Sequence, residues 1–92
     1  MDIRVAIPSP LRSYCDGAAA VMIACAASNP TLGDLLADLD SAHPGIRFRM
    51  LDEQGKLRPH IQVFVNAAVQ RDPDAFLPPQ ADVMIVAALS GG

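Results

Sequence analysis

The sequence predicts an α+β fold, in which a mixed sheet of four or five strands carries one main helix across one face. Short segments in which every second residue is apolar recur along the chain, as in half-buried strands, and one segment repeats leucine at helical spacing. The chain has 92 residues, 51% of them hydrophobic, which suits one core. We therefore expect one domain over residues 1–88 and a flexible tail over residues 89–92.

Two strands are predicted in the first quarter of the chain. Within residues 3–7 every second residue is a large aliphatic one, and a similar alternation returns within residues 20–25. The intervening residues 8–17 begin with prolines and end in Asp16-Gly17, a pair typical of turns. We expect these two strands to form a hairpin around a loop.

The helix is predicted to begin after Thr31 and to end near Ala42. The Thr31 hydroxyl can accept a hydrogen bond from the first turn, and Asp34 places negative charge at the positive end of the helix dipole. The apolar stripe consists of Leu32, Leu35, Leu36 and Leu39. This spacing covers one face of a helix. Asp34 and Asp38 are expected on a solvated face, as surface charges and not as a metal site.

The second half of the chain alternates connectors with strands. Residues 46–57 predict a polar connector with a turn at 52–55. The basic residues in and after it are expected to be solvated, and the alternative is that they flank a docking surface for partners: Arg47, Arg49, Lys56 and Arg58. Residues 60–66 predict a third strand, because Ile61, Val63 and Val65 fall on one face. Residues 67–81 predict irregular chain with a short strand around Val69. Residues 82–89, an apolar and β-branched run, predict the last strand.

Charge and composition exclude several classes of function. The net charge is −3 and the seven Lys and Arg residues are scattered, so nucleic-acid binding is not expected. The beginning of the sequence lacks a signal-peptide pattern, and no apolar run approaches about eighteen residues. We therefore expect a cytoplasmic protein without a membrane partner.

No residue set in the sequence predicts an enzyme. Phosphate-binding loops and nucleophile motifs are missing, and His43 and His60 are expected at the surface. Cys15 and Cys25 form no metal or redox motif. We expect Cys25 to be buried and Cys15 to lie in a loop.

The end of the sequence, Leu89-Ser90-Gly91-Gly92, is the segment best suited to chemistry. A free α-carboxylate is ionised at neutral pH and becomes an electrophile only after activation. Two glycines allow a close approach to a partner's active site, and four extended residues reach roughly 13 Å. The alternative is an ordinary frayed terminus. The strand that leads directly into the glycines favours the first interpretation.

The capped leucine helix, the segment His60-Ile-Gln-Val-Phe-Val-Asn66 and the ending Val83-Met-Ile-Val-Ala-Ala-Leu-Ser-Gly-Gly92 resemble the ThiS/MoaD sulfur carriers. These are ubiquitin-like proteins of the β-grasp fold. Residues 44–58 lengthen the chain, which is most similar to the carriers that serve cysteine synthesis in actinobacteria. The chain differs from the usual family pattern in three places. Ala67 follows Asn66 where glycine is usual, and Ala87 replaces a proline common before the tail. The last strand is preceded by Pro79-Gln80-Ala81-Asp82, where the family usually has Asp-Gly-Asp.

This resemblance implies that the chain is the substrate of other enzymes and not itself an enzyme. An E1-like enzyme uses ATP to adenylate the Gly92 carboxylate, and a sulfur donor displaces AMP to leave a thiocarboxylate. The chain itself binds no cofactor. A downstream synthase accepts the sulfur, and in the most similar carriers a metallopeptidase then releases cysteine. Two alternatives stay open: a ubiquitin-like protein modifier and a MoaD-like small subunit of molybdopterin synthase.

The strand parity predicts where partners dock. If Val63 and Ile85 face the helix, then Phe64, Met84 and Val86 point outward on adjacent strands. An exposed apolar patch on a small protein usually marks an interface. Leu89 and Ser90 would extend this partner-binding surface along the tail, with Gly91 as the last spacer. The alternative is that the parity is reversed or that another element covers the patch.

Overall fold

The computed structural model describes residues 1–88. Its elements are β1 (Asp2–Ala6), a 3₁₀ helix (Ser9–Cys15), β2 (Ala20–Ala24), α1 (Leu32–Ala42), α2 (Arg47–Met50), β3 (Ile61–Val65), β4 (Ala68–Val69) and β5 (Asp82–Ala87). The strands form one sheet in the order β2-β1-β5-β3-β4. Strands β1 and β5 run parallel, whereas the other neighbouring pairs are antiparallel. The predicted mixed sheet and hairpin are confirmed.

The core lies between α1 and the inner face of the sheet. The leucine stripe of α1 is fully buried, as predicted. Every second residue of the central strands meets it: Ile3 and Val5 from β1, Ile61 and Val63 from β3, and Val83 and Ile85 from β5. Burying a large aliphatic side chain contributes about 1.5–3 kcal/mol. The alternate residues of the strands and the helically spaced leucines of α1 therefore pack together in one core.

The start of α1 is held by its own residues and by a distant segment. The Thr31 hydroxyl accepts a hydrogen bond from the Asp34 N–H at 3.1 Å, and the Asp34 carboxylate accepts one from the Thr31 N–H at 3.0 Å. This capping box satisfies two backbone donors. The Gly33 N–H donates to the Pro73 carbonyl at 2.7 Å, and a Cβ at Gly33 would lie 3.1 Å from that oxygen. The predicted irregular segment 67–81 thus completes the cap.

The polar connector predicted for residues 46–57 is wrong in part. It contains the short helix α2 and buries four side chains: Ile46, Met50, Leu51 and Leu57. The Asp40 carboxylate accepts hydrogen bonds from the N–H groups of Gly45 and Arg47, at 3.0 and 3.1 Å, which places the start of α2. The predicted turn at 52–55 is present, because the Asp52 carboxylate accepts from the Gln54 N–H.

The expected loop after β1 is instead a 3₁₀ helix that turns inward. Pro10 lies in its first turn, where a fixed φ and a missing N–H are tolerated. As a result Cys15 is buried, and the expectation of a loop thiol is wrong, whereas Cys25 is buried as predicted. Asp38 is only half-exposed and lies beside Cys25, so it is not on a fully solvated face with Asp34.

The hairpin between β3 and β4 turns through two residues in left-handed conformations. Asn66 has a φ of 49° and Ala67 a φ of 70°, as a type I′ turn requires. The Asn66 side-chain oxygen accepts from the Asp82 N–H at 2.8 Å, and the Asn66 N–H donates to the Asp82 carbonyl at 2.9 Å. Asparagine tolerates this conformation, but alanine pays a steric cost for it.

We expect Leu35→Ala to lower the free energy of unfolding by about 2–5 kcal/mol, because it opens a cavity at a fully buried site. Leu39→Ala should act similarly. Denaturant unfolding measures the change, and Ser41→Ala on the exposed side of the same helix is the control. A loss at Leu35 no larger than that at Ser41 would mean that the helix packs differently.

We expect Ala67→Gly to raise the free energy of unfolding by about 0.5–1 kcal/mol, because glycine removes the steric cost of a positive φ. The matched control is Ala68→Gly, one residue further on in β4. There glycine only adds conformational entropy to the unfolded chain, so stability should fall by about 0.5–1 kcal/mol. If both variants changed in the same direction, the strain at Ala67 would be refuted.

Candidate functional site

Strand β5 leads to the predicted reactive end of the chain from the centre of the sheet. It pairs with β1 on one side and with β3 on the other. The pairing continues past its last residue, because the Ala88 N–H donates to the His60 carbonyl at 2.8 Å. The chain is therefore held by main-chain hydrogen bonds up to Ala88. The predicted site residues Leu89, Ser90, Gly91 and Gly92 lie outside the described residues.

The three predicted docking residues on the sheet point away from the helix. Phe64 and Met84 are register partners on β3 and β5. Met84 is 51% and Val86 39% exposed, and Phe64 is half-buried. We call these three residues the outer patch. Their predicted orientation is confirmed, and the reversed parity is excluded, because Val63 and Ile85 are buried.

The outer patch is a shallow surface with a polar border. A depression of about 270 Å³ is lined by Phe64, Ala67, Asp82 and Met84. Asp82 pairs with Arg4 at 3.4 Å, and both side chains are more than half exposed. An exposed ion pair of this kind adds little stability. The surface thus combines an apolar centre with a polar edge, which is the usual anatomy of a protein interface.

A second depression lies beside the end of β5. Its volume is about 600 Å³, and its lining includes Tyr14, Phe48, Arg49, Arg58, His60 and Ala88. We call it the tail groove. The sequence did not reveal it, because its walls come from the 3₁₀ helix, α2 and the following connector, which were expected to be loop and solvated chain. The only available signal was the basic character of residues 47–58.

The two thiols are placed so that they are poor nucleophiles. Burial raises the pKa of Cys15, and the charge of Asp16 adds to the effect. Burial also raises the pKa of Cys25, where Asp38 contributes through its charge and a hydrogen bond. Because their pKa values are raised, both thiols remain protonated at neutral pH. The reactive form of cysteine is the thiolate. Neither thiol is suited to carry sulfur or to attack a substrate.

Two kinds of feature are absent from residues 1–88. Within this range no three His, Cys, Asp or Glu side chains are grouped so that they could hold a metal ion. None of the helices described there is long and apolar enough to cross a membrane.

Comparison with known proteins identifies relatives of the whole chain. No family model matches it. It is 33% identical to the sulfur carrier protein CysO of Mycobacterium tuberculosis, over an alignment of 97 positions that spans all of both chains. A chain of the BexX/CysO complex of Amycolatopsis orientalis superposes with a TM-score of 0.83 at 28% identity, covering 98% of this chain and 99% of its own.

A third comparison concerns the fold alone. SAMP1 of Haloferax volcanii superposes over the full length of both chains with a TM-score of 0.83 at 23% identity. The shared architecture is the mixed five-stranded sheet with one helix across it. The chain belongs to the CysO family of sulfur carrier proteins, and its fold is the ubiquitin-like β-grasp that the resemblance to the ThiS/MoaD carriers implied.

Proposed function

We propose that this protein carries sulfur as a thiocarboxylate on Gly92. An E1-like enzyme binds ATP, the Gly92 carboxylate attacks the α-phosphorus, and pyrophosphate leaves. Hydrosulfide supplied by a donor protein then attacks the acyl carbon, AMP leaves with the bonding electron pair, and one proton is released. The observation that supports this most is the full-length similarity to sulfur carrier protein CysO.

In this proposal the chain is a substrate and not a catalyst. It binds no cofactor, and the partner supplies the ATP site. The described residues support the choice of the carboxylate as sulfur acceptor, because both thiols are buried and their pKa values are raised. Reaction at the tail, in the cytoplasm, also leaves the packed core undisturbed.

The sulfur would then pass to a downstream synthase in cysteine formation. There an activated serine derivative accepts it as a cysteinyl adduct, and a metallopeptidase releases cysteine. The resemblance to cysteine-synthesis carriers supports this destination over the MoaD-like alternative. A MoaD-like subunit would instead co-purify with a stoichiometric large subunit.

The outer patch is proposed as the main docking surface for the E1-like enzyme, with Leu89 and Ser90 extending it toward the reactive glycines. Met84 and Val86 alternate with buried residues of β5, so they lie on the strand that continues into the tail. Contact with a partner protein is supported by the crystal structure of the BexX/CysO complex of Amycolatopsis orientalis.

A ubiquitin-like modifier is the second candidate, because SAMP1, a small archaeal modifier protein, shares the fold. That likeness concerns fold alone. Intact-mass analysis of protein from the native cell separates the two functions. A thiocarboxylate replaces one oxygen by one sulfur, whereas a modifier would be found joined to lysines of other proteins.

We expect deletion of Gly91 and Gly92 to abolish sulfur loading by the E1-like enzyme of the source organism. The last carboxylate would then belong to Ser90, two residues short of the proposed reacting position. Intact-mass measurement after incubation with ATP and a sulfide source gives the loaded fraction. The melting temperature should stay unchanged, since the core described within residues 1–88 contains neither of these glycines. Undiminished loading of the truncated chain would refute the carrier mechanism.

We expect Met84→Asp and Phe64→Ala to weaken binding to that enzyme by about thirtyfold, as loss of roughly 2 kcal/mol at an interface hot spot does. The matched control is Met22→Asp, since Met22 is 63% exposed on edge strand β2. Calorimetry measures the affinity and thermal melting checks the fold. Equal losses for Met22→Asp and Met84→Asp would remove the special role of the outer patch.

A further inference from the structure

The tail groove concentrates positive charge in an acidic protein. Within residues 1–88 its lining contains the charged residues Arg49 and Arg58 and no Asp or Glu, although the whole chain has a net charge of −3. Asp52 lies near Arg58 but does not line the groove. The pKa of the Asp52 carboxyl is lowered mainly by the hydrogen bond from the Lys56 N–H, and the charge of Arg58 adds to this effect. The groove is therefore suited to an anionic ligand.

The Nε atom of each groove arginine donates a hydrogen bond to another residue of the protein. Arg49 donates from Nε to the Tyr14 hydroxyl at 2.6 Å, and Arg58 donates from Nε to the Phe48 carbonyl at 2.8 Å. Within residues 1–88 the one ion pair joins Arg4 to Asp82, so neither groove arginine has a carboxylate partner there. The terminal nitrogens of a held guanidinium form a fork that matches a carboxylate with two parallel hydrogen bonds.

The position of the groove indicates that its anionic ligand belongs to the enzyme that acts on Gly92. Ala87 and Ala88 form part of its wall, and Gly92, the proposed reacting residue, lies four residues beyond Ala88. Four residues extend at most roughly 13 Å. An enzyme that takes Gly92 into its active site must therefore approach the protein surface next to Ala88. Phe48, which is 67% exposed at the groove, adds an apolar contact area there.

We propose that the tail groove docks an acidic segment of the activating enzyme, with Asp or Glu carboxylates bound by Arg49 and Arg58. This inference rests on the proposed function and adds a second contact to it. The apolar outer patch supplies affinity on one side of β5. The charged groove supplies long-range attraction and selects partners with the complementary charge.

The test uses the full chain and the E1-like enzyme of the source organism that loads it. ATP–pyrophosphate exchange measures the KM for the carrier and the KM for ATP separately. We expect Arg49→Glu and Arg58→Glu each to raise the carrier KM about tenfold at low salt, and less at high salt, because screening weakens charge attraction. The KM for ATP should stay unchanged.

The control is Arg47→Glu, which makes the same charge change at an exposed position of α2 that does not line the groove. It should change the carrier KM by less than about twofold, because exposed charges apart from the contact are screened. Arg49→Lys should lie between wild type and Arg49→Glu, since it keeps the charge but loses the fork. Thermal melting verifies that all variants are folded.

Several results would overturn the proposal. Unchanged carrier KM values in folded Arg49→Glu and Arg58→Glu show that the groove is not a contact. An effect of Arg47→Glu as large as theirs shows general charge attraction instead. A raised KM for ATP shows that the arginines serve the nucleotide phosphates. If the wild-type chain is not loaded at all, the proposed function fails and this docking partner with it.

Discussion

The pairing of β5 in the middle of the sheet is the constraint on which the rest of the structure depends. Hydrogen bonding to β1 and β3 fixes the register of β5, and the period of two then assigns each side chain to a face. Val83 and Ile85 enter the core under α1, while Met84 and Val86 remain outside. A shift by one residue would exchange these two sets. The core and the outer patch are thus two consequences of one register.

The same pairing bears on the proposed sulfur loading, since residues 1–88 contain neither a group of metal-ligating side chains nor a reactive thiol. The sheet holds the chain up to Ala88, and the proposed reaction occurs beyond that point. Both cysteines are part of the core, where burial raises their pKa values. The domain therefore serves the proposed chemistry as a rigid support, flanked by an apolar surface and a basic groove beside the end of β5.

Much of this arrangement could be predicted from local patterns. Thr31 and Asp34 are close in sequence, so their capping box is a local event, and the leucine stripe needs only helical spacing. The outward placement of Phe64 and Met84 followed from alternation in two strands. The proposed role of Gly92 came from the glycine ending and the family resemblance, and it stays a proposal because residues 89–92 lie outside the described part of the chain.

Other features depend on contacts between distant segments, and sequence patterns carry no information about them. The Pro73 carbonyl reaches the Gly33 N–H, and Arg49 reaches the Tyr14 hydroxyl 35 positions away. Cys15 is buried because a 3₁₀ helix turns it inward, not because of any local period. The sequence by itself determined the strands, the helix and their buried faces, since these arise from short-range periodicity. Only the tertiary structure decided the tail groove, because its walls come from segments brought together by the packing of the core.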